Sequence, residues 1–122
     1  MATVLELMRP DEVIEILRGD ILLDREIDIS ADIPFTELGL EPMDLLSLCF
    51  YSRVKPGDYF AGEALNHRGT EVFNEIAKRR GMDKTKLERL HRNSISADQL
   101  LEYLTPQIWA DFVNHSRGYI TE

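Results

Sequence analysis

Cysteine is almost missing from this 122-residue chain, and Cys49 stands alone, so no intrachain disulfide can staple the fold. No stretch approaches the roughly 18 consecutive apolar residues that a membrane span needs. The start of the chain lacks a basic region leading into a long apolar run, so no secretory signal is read there. These absences lead us to expect a soluble, cytoplasmic protein. Strand signals are also scarce: alternating apolar–polar runs are short and β-branched clusters scattered, while helical spacing dominates. The expected fold class is all-α. His67, His91 and His115 lie far apart with no i, i+4 partner, so no metal site is expected. No serine–histidine–acid set, glycine-rich phosphate loop or paired-carboxylate motif stands out, and no catalytic residues are assigned.

The length favours one domain, 1–122, with a modest core. The net charge is −8, unevenly spread. Residues 1–50 hold 12 acids and 3 bases, residues 51–95 hold 6 acids and 10 bases, and residues 96–122 hold 4 acids and 1 base. An acidic front half repels phosphates and argues against general nucleic-acid binding. It suits docking to basic protein surfaces.

"RPDEVIEILRGDILL" reads as a first helix. Pro10 fits the first helical position, Asp11 and Glu12 favour the positive end of the helix dipole, and Val13, Ile14, Leu17 and Ile21 share a face. Gly19 weakens its middle. "DREIDISADIPFTELGLE" is a long loop, too apolar at Ile27, Ile29, Ile33, Phe35 and Leu38 to float free. "PMDLLSLCFYSRV" is a second helix, opened by Pro42. Its core stripe is read as Met43, Leu46 and Phe50, with Leu45 and Cys49 beside it. "KPGD" marks a turn. Two helical runs follow, Thr70–Arg80 closed by Gly81 and Asp83–Arg92. "SADQ" is a capping box, Ser96 with Gln99, before "ADQLLEYL". Thr105 and Pro106 open a last helix with Ile108, Trp109, Phe112 and Val113 on its apolar stripe.

The block "IDISADIPFTELGLEPMDLL", Ile27 to Leu46, resembles the acyl carrier proteins of fatty-acid and polyketide synthesis. Pro34, Phe35, Leu38, Gly39 and Asp44 match that family's pattern; Glu41 stands for its Asp and Met43 for its Leu. "DEVIEIL" resembles the family's first helix and "SISADQLLEYL" its last. The resemblance implies an acyl-carrier-like four-helix bundle. Residues 51–93 form a helical insertion after the second helix, and residues 105–122 a C-terminal extension. Because a loop so apolar cannot float free, Ile29, Ile33, Phe35 and Leu38 are expected to be buried against Val13, Leu17, Leu46 and Leu100 or Leu101.

One position departs from the pattern. Where the family has the serine whose oxygen takes phosphopantetheine from coenzyme A, this chain has Pro42, which has no side-chain nucleophile. The resemblance therefore implies a non-enzymatic binding module without the arm, a partner or scaffold for acyl-processing enzymes, with no cofactor. Partners would dock on the second helix at Glu41, Met43, Asp44, Ser47 and Leu48. Two other readings stand beside it. One is a working carrier with phosphopantetheine on Ser94, whose "NSIS" context faintly resembles the attachment motif. The other is an unrelated acidic helical regulatory or immunity-type protein.

Other chemistry-bearing residues have plainer readings. Cys49 lies among Leu46, Leu48 and Phe50 and reads as a core thiol. Arg79, Arg80, Lys84 and Lys86 are basic, but no aromatic residue interleaves them for base stacking, so they read as a solvated helix end. Trp109 and Phe112 read as core aromatics.

Overall fold

The computed structural model describes residues 7–61, 64–82 and 97–118. Helix α1 spans Pro10–Ile16 and continues through a wider π-helical turn, Leu17–Ile21, that carries the chain past Gly19. Pro10 stands at the start, where the missing N–H leaves no helical bond unmade. Val13, Ile14 and Leu17 are buried, and Ile21 is half-buried. A short 3-10 turn, Phe35–Leu38, precedes α2, Pro42–Tyr51. After a second 3-10 turn at Pro56–Asp58 comes a minimal antiparallel pair, β1 Phe60–Ala61 and β2 Ala64–Leu65. Then follow α3, His67–Arg79, α4, Ala97–Tyr103, and α5, Pro106–Ser116.

The described chain is thus mostly helical, as the spacing predicts, with one correction. Residues 51–93 are not purely helical, because a strand pair stands before α3. The pair is formed locally. Tyr59 turns back so that its carbonyl accepts from Asn66 N–H at 2.8 Å, which aligns Phe60 with Leu65 and Ala61 with Ala64. Asn66 then caps α3, its Oδ1 accepting from Gly69 N–H at 2.7 Å. Gly69 is required here: a Cβ would collide with the Tyr59 carbonyl oxygen and lie 2.9 Å from Leu65 Cδ2. Gly81 ends α3 in the left-handed region, φ 73°, where glycine carries no Cβ penalty. The helix expected at Asp83–Arg92 and the Ser96 half of the capping box lie outside the described residues.

The last helix is central, although the resemblance makes it an extension. Helix α5 packs against both α1 and α3 and buries every residue from Ile108 to Asn114. Asn114 clasps the chain ahead of α1: Met8 N–H donates to its Oδ1 at 2.7 Å, and its Nδ2 donates to Met8 O at 3.0 Å. Asp111 takes both prongs of the Arg80 guanidinium at 2.8 Å, tying the end of α3 to α5. Trp109 Nε1 donates to the buried Ser52 Oγ at 3.0 Å, tying α5 to the end of α2.

The long loop is packed down as its composition predicts. Phe35 N–H donates to Leu104 O at 2.8 Å and Gln107 N–H to Ala31 O at 2.9 Å, so the loop crosses the α4–α5 junction. Arg18 Nε holds its other end through Ile27 O at 2.7 Å. Ile29 and Phe35 are buried in one cluster with Val13, Leu17, Leu100 and Leu101; Ile33 and Leu38 are half-buried against it. Leu46, the remaining expected partner, is outside that cluster.

Candidate docking surface

Pro42 opens α2, as the sequence predicts. Glu41 stands before it in extended conformation, φ −105° and ψ 163°. The Glu41 N–H donates to Asp44 Oδ2 at 2.7 Å, closing a capping box around the proline. The helix ends in a Schellman turn: Arg53 N–H donates to Phe50 O at 3.2 Å and Val54 N–H to Cys49 O at 2.8 Å. Arg53 takes the left-handed conformation, φ 59°, that glycine normally supplies at this position.

The side of α2 that faces the core is not the expected one. Leu45, Leu48, Cys49 and Ser52 are buried. Met43, Leu46 and Phe50, read from the sequence as the core stripe, point outward at 75%, 49% and 76% exposure. The helix is apolar on both sides, so hydrophobic spacing alone allows either stripe to face inward. The buried alternative wins because Ser52 meets the indole N–H of Trp109 and Val54 buries behind it. Tyr51, also exposed, sets its ring edge-on to Phe50 at 5.2 Å.

The five residues expected to meet a partner are therefore not all available. Glu41 and Met43 are exposed, and Asp44 and Ser47 are half-buried, with Asp44 engaged by the helix start. Leu48 is 0% exposed and cannot touch a partner, a correction that follows from the same rotation of the helix. Leu46, Phe50 and Tyr51 belong to the surface and were missed. The signal that finds them is the excess of apolar residues around a ten-residue helix with only one side to bury. Ser94 lies outside the described residues.

Glu37 and Glu41, ahead of α2, and Arg53 and Lys55, after it, are exposed. Beside Tyr51 and Arg53, a groove of about 390 Å³ opens against α1 and is lined there by Asp11, Glu12 and Glu15. A second groove of about 470 Å³ runs along α3, between Arg68, Glu71, Glu75, Lys78 and His115. Neither sets a nucleophile against a base. Cys49 is enclosed, and burial pushes its thiol up to about 12, which suits packing and not attack. Tyr59 donates to or accepts from His115 Nδ1 at 3.1 Å, and burial raises the Tyr59 hydroxyl above its ordinary value. Among the described residues no group of three His, Cys, Asp or Glu side chains converges to hold a metal ion, and no helix is long and apolar enough to cross a membrane. Trp109 and Phe112 are buried, as read from their spacing, and Arg80 is spent on Asp111.

Comparison of the chain with family models, with curated proteins and with solved structures returns no match.

Proposed function

We propose that this chain is a carrier-like binding module without a prosthetic arm, which docks acyl-processing enzymes through the outward face of α2. The observation that carries the proposal is the exposed stripe Met43, Leu46 and Phe50 on the helix that Pro42 opens. Three large apolar side chains in one row, rimmed by charge, are a common mark of a surface kept for a partner. The long loop pinned across the α4–α5 junction supports the carrier-like part of the reading over an unrelated acidic helical protein. The absence of an arm rests on Pro42. A ring nitrogen closed into the backbone offers no oxygen to the pyrophosphate of coenzyme A.

Intact-mass measurement after incubation with a phosphopantetheinyl transferase and coenzyme A tests this. The protein is expected to keep its mass. A gain of one phosphopantetheine would overturn the armless reading, and peptide mapping would place the arm on Ser94 or another serine. The Pro42→Ser variant is expected to fold, since serine is well accepted at helix starts. Its modification would indicate a carrier that lost only its nucleophile.

A further inference from the structure

We propose that the outward face of α2 also pairs with itself, antiparallel, across a two-fold axis near Ser47, to make a homodimer. The pattern along the helix is self-complementary. Exposed carboxylates, Glu37 and Glu41, precede the apolar stripe, and exposed cations, Arg53 and Lys55, follow it. Positions 41 and 53 are equally far from 47, and so are 43 and 51. A two-fold axis at Ser47 therefore sets Glu41 against Arg53 of the second copy. It sets Met43 against Tyr51, whose ring lies edge-on to Phe50. An isologous contact demands this relation, residue i meeting j while j meets i.

The charges choose the direction. An antiparallel crossing brings opposite charges together at both ends and opposes the two helix dipoles. A parallel crossing would stack carboxylate on carboxylate and cation on cation. Ser47, small and half-buried, lets the two backbones approach at the axis. Arg53 adds a further sign. It holds the left-handed conformation, φ 59°, that glycine ordinarily supplies at this turn. The arginine keeps a positive charge at the end of the stripe. This pairing requires only the exposed face and not the carrier reading, and an enzyme docking on α2 would compete with it.

Sedimentation velocity with rising protein concentration tests the pairing. The weight-average mass is expected to rise from 14.1 kDa towards that of two chains. Phe50→Glu, a change on an exposed side chain, should stay monomeric with unaltered circular dichroism. Glu41→Arg should weaken association about tenfold, because symmetry repeats the lost pair at both ends. Glu41→Arg combined with Arg53→Glu should restore it. A protein that stays monomeric throughout, a dimer indifferent to Phe50→Glu, or a double variant as weak as the single one would each overturn the proposal. The mass-gain experiment reads the missing arm separately, so the two ideas fail independently.

Discussion

Helices α2 and α5 begin alike and end in opposite roles. Each has proline at its first position, with a polar residue before it: Glu41 for α2, and Thr105 for α5, whose Oγ1 accepts from Ile108 N–H at 3.2 Å. Both carry large apolar side chains beyond what one face needs. Helix α5 buries all of its own, because α1 lies on one side and α3 on another. Helix α2 has neighbours on its inner side, the π-helical turn after α1 and α4, and leaves Met43, Leu46 and Phe50 in water. The same composition is thus core in one place and surface in the other. What differs is the number of elements available to cover it.

Substitutions should separate the two helices by the size of their effect on stability. Trp109→Ala is expected to cost about 3–5 kcal/mol in denaturant unfolding, from the lost packing and the cavity left among Phe112, Ser52 and their neighbours. A loss below about 1 kcal/mol would break the assignment of α5 as the central helix. Arg80→Ala should cost about 2–3 kcal/mol. It takes both guanidinium bonds from the Asp111 carboxylate, 3% exposed, and leaves it the long contact from Gln107 Nε2 at 3.4 Å. The figure stays below that for a fully buried pair because the Arg80 side chain is itself 44% exposed. Asp111→Asn in the Arg80→Ala background should recover part of the loss.

Cys49 reports on the inner side of α2 through pH. Burial in the folded chain pushes its thiol up from the ordinary 9.0 to about 12. Between these values the unfolded chain has released a proton that the folded chain keeps. Stability therefore falls as pH rises above 9, by up to about 1.4 kcal/mol per pH unit. The Cys49→Ala variant, less stable at neutral pH, should lack this part of the slope. Equal slopes would place the thiol outside the core. The smallest effect is expected on the outer side: Phe50→Ser should change unfolding free energy by no more than about 0.5 kcal/mol, despite removing an aromatic ring. A large loss there would mean that the stripe is core after all.

Much of the scaffold was legible in the sequence, for local reasons. Pro10, Pro42 and Pro106 mark helix starts because a first-turn N–H has no helical acceptor to lose. Gly81 marks a stop because its φ is positive. Ile29 and Phe35 were recognisable as anchors because a loop that apolar must be covered. The features that were not legible depend on distant neighbours. Helix α2 fits the core by either of two stripes, and the choice rests on Ser52 meeting Trp109, 57 positions away. Asn114 holding Met8 spans 106 positions, and Arg80 holding Asp111 spans 31. The strand pair was missed because two residues per strand carry no readable alternation. Of the residues expected to meet a partner, Glu41 and Met43 are exposed and Leu48 is buried; Met43, Leu46 and Phe50, read as the core stripe, face outward through the same rotation of the helix.

The central claim is that the outer side of α2 exists for binding and contributes little to the fold. The most direct measurement is competition: this protein, added in excess, while an acyl-processing enzyme loads a separate, functional acyl carrier protein. Loading is expected to slow competitively with respect to that carrier. Phe50→Glu is expected to relieve the inhibition while its unfolding midpoint stays that of the unmodified chain. No inhibition by the natural sequence, or inhibition that survives Phe50→Glu undiminished, would contradict it.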